Sequence, residues 1–278
     1  MACSWIAVDL PSTRADEAAT ENSPRIHELF IRPVNHKEWG NEPAEVQAIL
    51  ESAAHTLWLY FPDRVLDPLV IEPRGGPIVL FRRGKQGEYQ IRLNSGDSRW
   101  NQWVYQFAHE FCHILSNYDD REHKNQWFEE SVCELASLFV LKKLGDSWSK
   151  ATAPEHWRNY AHFMPKYAAD RIAHAQLPKD MTLAQFYNKH SSLFAKNCCD
   201  RDRNTQIAVQ LLPLFEKNPA HWEAITWLNR AKKGHSESLA DYLQAWHDHC
   251  PQKHRVFIKQ IAERFEIELT PGRNPAIP

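Results

Sequence analysis

The stretch QFAHEFCHILSNY, residues 106–118, decides how this chain is read. Phe107, Ala108, Phe111, Ile114 and Leu115 recur at helical spacing, and Trp103, Val104 and Tyr105 just upstream extend the pattern over Asn101 to Asn117. A helix apolar on most of its faces is a buried one. This one nevertheless carries His109, Glu110 and His113 at its centre. Each such group costs roughly 1 to 3 kcal/mol if buried without a partner. Positions four apart on a helix differ by about 40° and one turn of rise, so the two imidazoles project side by side. A cation shared between them removes the cost, and neutral imidazole is a good ligand for zinc.

The next helical pattern lies just downstream. After the charged connector YDDREHKN (118–125) comes QWFEESVCELASLFVLKKLG (126–145), again apolar around most of its circumference. Lys142 and Lys143 suit the C-terminal end of the helix dipole, and Gly145 is expected at the C′ position. Two buried helices therefore flank one polar loop.

Composition narrows the class. The chain has 278 residues, 43% hydrophobic and 24% charged, with a formal net charge of -2. That is enough for a sizeable core, and the interspersed charges offer no basic stripe for a phosphate backbone, so nucleic acid is not an expected partner. No apolar run reaches the roughly 18 residues a spanning helix needs. The first twenty residues, MACSWIAVDLPSTRADEAAT, lack a basic n-region and an apolar h-region, so the chain as written is expected in the cytoplasm, and outside it if a leader was removed. Six cysteines occur, two of them (Cys112 and Cys133) within helical patterns and two (Cys198 and Cys199) adjacent. A chain this long needs no disulfide framework, and the cysteines are read mostly as reduced thiols.

Hydrophobic periodicity organises the rest into an α+β protein. Residues 1–24 read as a polar arm and 271–278 as a loose tail, around a sheet-bearing half (25–147) and a helical subdomain (148–270). PAEVQAILESAAHTLWLYF (43–61) predicts a helix with Pro43 in its first turn and Val46, Ile49, Leu50, Ala53, Leu57 and Tyr60 on one face. LVIEP, PIVLFRR and EYQIRLN predict a small sheet, the last two strands joined through Gly84 to Gly87 as a hairpin. From about residue 153 onward every pattern is helical: PEHWRNYAHFMPKYAADRIAHA, LAQFYNKHSSLFA, NTQIAVQLLPLFE, HWEAITWLNRA, ESLADYLQAWHDH and QKHRVFIKQIAERF. They share no fixed period, so a repeat array is not expected.

A catalytic zinc uses three protein ligands and leaves the fourth position open. Glu110 points about 100° away from His109 and is better placed to take a proton from water at the ion. The third ligand has to come from the second buried helix, where Glu130 and Glu134 share a face and either could reach the ion. Glu129 sits in the first turn, where the helix dipole favours an acid by about 0.3 to 1 kcal/mol. Glu134 lies a turn further in, beside Cys133 and Leu135, and has no such explanation.

His109-Glu110-Phe111-Cys112-His113 followed by Trp127-Phe128-Glu129-Glu130 and then Glu134 resembles the gluzincin metallopeptidases. Their pattern is HExxH on one helix, a ligand glutamate on the next, and another acid four residues later. The resemblance spans about residues 88 to 140. It implies a zincin-like sheet, zinc as cofactor, His109, His113 and Glu130 as ligands, and Glu134 accepting a hydrogen bond from a ligand histidine's far nitrogen. It further implies Glu110 as general base in a peptide-bond hydrolase, a peptide or protein as substrate, and EYQIRLN as an edge strand pairing with it. The Gly-x-Met-Glu-Asn motif of the aminopeptidase branch is absent, which points to endo-acting chemistry. Other readings are a zincin-fold regulator serving one dedicated partner and a noncatalytic helical protein with a structural zinc.

An oxyanion-stabilising donor is also expected, from His123, Tyr160, His162, Tyr167 or Arg203. HDHCPQKH offers His247, His249, Cys250 and His254 as rival ligands, but on a helix His247 and His249 stand about 200° apart. NCCDRDRN, with Cys198 and Cys199, reads as a connector, KKGH (232–235) as a solvated turn, and Trp157, Trp222, Trp227 and Trp246 as core.

Overall fold

A computed structural model of the chain describes residues 27–94, 96–119, 123–230 and 238–270. The expected arm at 1–24, the tail and the KKGH turn lie outside the described residues. The fold is α+β, with a small mixed sheet and a preponderance of helix.

Strands β1 (Ile31–Pro33), β2 (Leu69–Glu72), β3 (Ile78–Val79) and β4 (Tyr89–Arg92) form one four-stranded sheet in the order β1-β2-β4-β3. The first two pairings are parallel, and β3 runs antiparallel to β4, as the expected hairpin requires. Strand β1 has no counterpart in the sequence reading. It is three residues long and ends in Pro33, which a sheet tolerates at an edge. The expectation that EYQIRLN is the edge strand is overturned: β4 is hydrogen-bonded on both sides, and β3 forms the edge beside the histidine-bearing helix. A two-residue strand with Ile78 exposed carries too little alternation to announce which side of the hairpin faces out.

Helix α1 (Pro43–Trp58) starts at Pro43, whose fixed φ and missing N–H suit a first turn, and buries Val46, Ile49, Leu50, Ala53 and Leu57. Helix α2 (Trp100–Leu115) carries His109 and His113 and has Trp103, Phe107, Ala108 and Phe111 fully enclosed. It stops two residues short of the expected Asn117 because Asn117 takes a left-handed φ of 58°. Asn117 N donates to Ile114 O (3.2 Å) and Tyr118 N to His113 O (3.0 Å), the paired bonds of a Schellman ending. Arg64 then donates to the last carbonyls, Ile114 O and Leu115 O, and to Asn117 Oδ1. The turn that follows His113 is therefore tied down from both sides.

Helix α3 (Gln126–Trp148) packs along α2 and runs through Gly145 instead of ending there. The glycine serves a close approach: a Cβ at this position would lie 2.5 Å from Pro165 Cδ. The remaining elements are helical as expected: α4 (Glu155–Tyr160), α5 (Phe163–His174), α6 (Leu183–Lys196), α7 (Arg201–Lys217), α8 (Leu239–His249) and α9 (Gln252–Arg264). One correction applies, since HWEAITWLNRA falls on a 3-10 segment, Pro219–Trp227. Helices α5 and α7 lie against α3, so α3 is shared between the sheet side and the helical side. Its burial all round follows, and the buried side chains form one cluster from Ile31 to Leu269.

Candidate metal centre

The two buried helices bring His109, His113 and Glu130 together, with one ligand-type atom from each within 4.8 Å of the others. The imidazoles are neighbours on α2, their ring centroids 5.1 Å apart. Glu130 straddles them from α3: Oε2 lies 3.1 Å from His109 Nε2 and Oε1 lies 3.6 Å from His113 Nε2. Metal–ligand lengths of about 2.0 to 2.2 Å at tetrahedral angles place ligand atoms about 3.4 Å from each other. The two Glu130 separations bracket that value, so this donor set fits a divalent cation.

The far nitrogens also meet carboxylates. Glu134 Oε2 stands 3.6 Å from His109 Nδ1, and Glu129 Oε1 2.9 Å from His113 Nδ1. Such contacts fix the tautomer that leaves Nε2 free to coordinate. Glu134 is itself held by the Tyr105 hydroxyl, by Thr205 Oγ1 (2.8 Å) and by Arg171 Nη2 (3.1 Å). Ser116 Oγ donates to Glu129 Oε1 at 2.7 Å. Each carboxylate behind the histidines is thus anchored by a separate element.

These contacts set the metal-free charge states. Burial opposes charge on His113, but Glu130 and Glu129 outweigh it and push the imidazole up to about 9. His109 is driven the same way, well above the ordinary histidine range, by Glu130 and Glu134 against its burial. Burial resists ionisation of Glu130 and Glu134, yet the facing imidazoles, with Arg171 and Tyr105 at Glu134, hold both down at about 2. Without an ion, the same contacts favour imidazolium–carboxylate pairing across the cluster.

The cluster opens into a cavity of about 450 Å³. Glu110, only 4% exposed, belongs to its wall, as do Ile78 and Val79 of the edge strand. Glu110 does not join the ligand cluster. Of the expected oxyanion donors only Tyr167 reaches the cavity. Tyr160 bonds Asn101, His123 packs on Tyr242, His162 on Phe163, and Arg203 pairs with Asp200. The rival ligands are dispersed: His247 meets Asp248, His249 the carbonyl of Ala245, and His254 Glu223.

Several participants went unread in the sequence, among them Arg171, Thr205 and Ser116, which anchor the carboxylates behind the histidines. Tyr105 lies four residues before His109, on the same helical face, and that spacing was the available signal. The contact of Glu129 with His113 depends on how α3 is rotated against α2, which spacing along one chain does not specify. Cys198 and Cys199, read as connector, line the cavity, and Cys199 Sγ lies 3.9 Å from Glu130 Oε1.

A 60-residue segment is 40% identical to "Uncharacterized protein YqaB" of Bacillus subtilis (strain 168). The matched segment covers 22% of this chain and 34% of that protein. No family model matches the chain, and no solved structure matches it.

Proposed function

We propose that this chain is a zinc-dependent peptidase of the gluzincin kind, hydrolysing peptide bonds within chains rather than trimming their ends. The observation that carries the reading is Glu130 set between two histidine Nε2 atoms whose Nδ1 atoms each face a second carboxylate, at the floor of a cavity that Glu110 also lines. His109, His113 and Glu130 would hold the ion. Zinc, when bound, supplies a Lewis acid for the scissile carbonyl and lowers the pKa of water toward neutrality. Glu110 takes the proton of the attacking water on its carboxylate and returns it to the departing amine. Glu134 and Glu129 orient the two imidazoles and keep them basic. Tyr167, which lines the same cavity, would donate its hydroxyl to the developing oxyanion. The edge strand β3, with Ile78 and Val79 in the cavity wall, offers its backbone to an extended peptide.

Elemental analysis of the purified protein, followed by digestion of a proteome-derived peptide mixture with and without chelator, tests this. Near-stoichiometric zinc and chelator-sensitive internal cleavage are expected. Glu110→Gln retains the metal and loses turnover, whereas His109→Ala loses the metal. Activity that survives in Glu110→Gln refutes the assigned base, and a protein that neither carries nor takes up zinc refutes the whole reading.

A further inference from the structure

The adjacent cysteines have no part in that chemistry, although they stand in the wall of the same cavity. Cys198 is pinned through its backbone, its carbonyl accepting from Asn204 Nδ2 at 2.7 Å, and Asn204 is buried on α7. Cys199 N donates to Asn197 Oδ1 at 3.2 Å, and Asp200 caps α7 immediately afterwards. The loop is therefore fixed on both sides of Cys199 while its side chain faces Glu130. The two sulfurs are 3.4 Å apart, and Cys199 Sγ is the one that reaches Glu130 Oε1, at 3.9 Å.

We propose that Cys199 is the fourth ligand of the metal held by His109, His113 and Glu130, a displaceable thiolate that closes the site until substrate arrives. This rests on the metal reading above. A sulfur at about 2.3 Å and an oxygen at about 2.1 Å from one tetrahedral ion lie about 3.6 Å apart. The observed 3.9 Å is a few tenths of an ångström longer, and the thiol stands outside the group that His109, His113 and Glu130 form, so coordination requires a side-chain rotation that carries the sulfur toward the imidazoles. Thiolate is a soft ligand that zinc accepts readily beside imidazole and carboxylate. Four protein ligands make a closed site of the structural type, and an open one is restored when the sulfur leaves. On loading, the Cys199 S–H bond breaks, its proton passes to solvent, and the sulfur lone pair forms the bond to the ion, with no change of oxidation state. Cys198 stays off the metal as a neighbour.

Cobalt(II) substitution of the full chain reads this without any assay of hydrolysis. The cobalt protein is expected to show the intense visible d–d bands of tetrahedral coordination together with a near-ultraviolet thiolate-to-cobalt charge-transfer band. Cys199→Ser and Cys199→Ala lose the near-ultraviolet band and keep cobalt in the visible, while Cys198→Ser retains both. Visible bands without charge transfer in the unsubstituted protein overturn the thiol assignment and leave the metal site standing. A charge-transfer band that survives in Cys199→Ser also overturns it, and points to Cys133 in the buried group with His113 and Glu129. No uptake of cobalt at all refutes the metal reading and this inference with it.

Discussion

Loading the site with zinc at pH 7.5 should expel about two protons from its histidines, where two ordinary imidazoles would release almost none. Coordination requires a neutral Nε2, and Glu129, Glu130 and Glu134 hold both rings protonated in the metal-free protein. With His113 at about 9, the ring is about 97% charged at pH 7.5, against about 10% for an unperturbed histidine. His109 is raised in the same direction by Glu130 and Glu134. Glu130, held at about 2, is ionised throughout and contributes no proton. Apparent zinc affinity should therefore climb by close to a hundredfold per pH unit between about 7 and 8, and less steeply once the pH passes about 9, where His113 gives up its proton without the ion. Isothermal titration calorimetry in buffers of differing ionisation enthalpy gives the proton count as a slope. The Cys199→Ser protein isolates the two imidazole protons from any thiol proton. Release of less than about half a proton from that variant would refute the ion-paired description of the unloaded site.

The metal-free protein should lose stability as pH rises. The folded value of about 9 for His113 lies above its unfolded value, so its contribution is complete below about 6.5 and is lost through 9. Glu130 acts in the opposite sense, its contribution vanishing as the pH falls from about 4.5 through about 2, and scanning calorimetry across the two windows checks both. Arg64→Met leaves the Ile114 and Leu115 carbonyls short of a charged donor at the end of α2, and should cost about 2 to 4 kcal/mol in a denaturant titration. Gly145→Ala drives a methyl to 2.5 Å from Pro165 Cδ and should cost about 1 to 3 kcal/mol, visible as a melting temperature several degrees lower. An unchanged melting temperature would mean that α5 moves aside freely.

Periodicity exposed α2 and α3 because both helices are apolar beyond what a surface helix needs, and it exposed the site because His109, Glu110 and His113 break that pattern at a four-residue interval. What it missed depends on contacts between elements distant in sequence. Gly145 has the same signature whether it ends a helix or admits a neighbouring proline, and only the path of α5 separates the two. Strand β1 is shorter than any alternation that could reveal it. The Pro219–Trp227 segment keeps three-to-four spacing but winds as a 3-10 helix, a difference the spacing hardly registers. Cys199 stands 69 residues beyond the glutamate it approaches, on a loop whose position is set by the packing of α7 against α3.

Charge balance would let one scaffold hold the site with and without an ion. Glu110, Glu129, Glu130 and Glu134 gather around two histidines, and Arg171, bonded to Glu134, is a permanent cation within the group. An uncompensated cluster of that sign in a buried setting costs several kcal/mol, so something positive has to enter it. Two protons on the imidazoles supply two charges. A divalent ion with both imidazoles neutral supplies the same two, at nearly the same place, since Nε2 of each ring already faces Glu130. Exchange of a metal for the two imidazole protons would then be close to neutral in charge, and neither helix would have to move for it. On this account the protein without an ion would keep His109, His113 and Glu130 in place, and the affinity of the site would be governed by pH more than by any cost of folding around the ion.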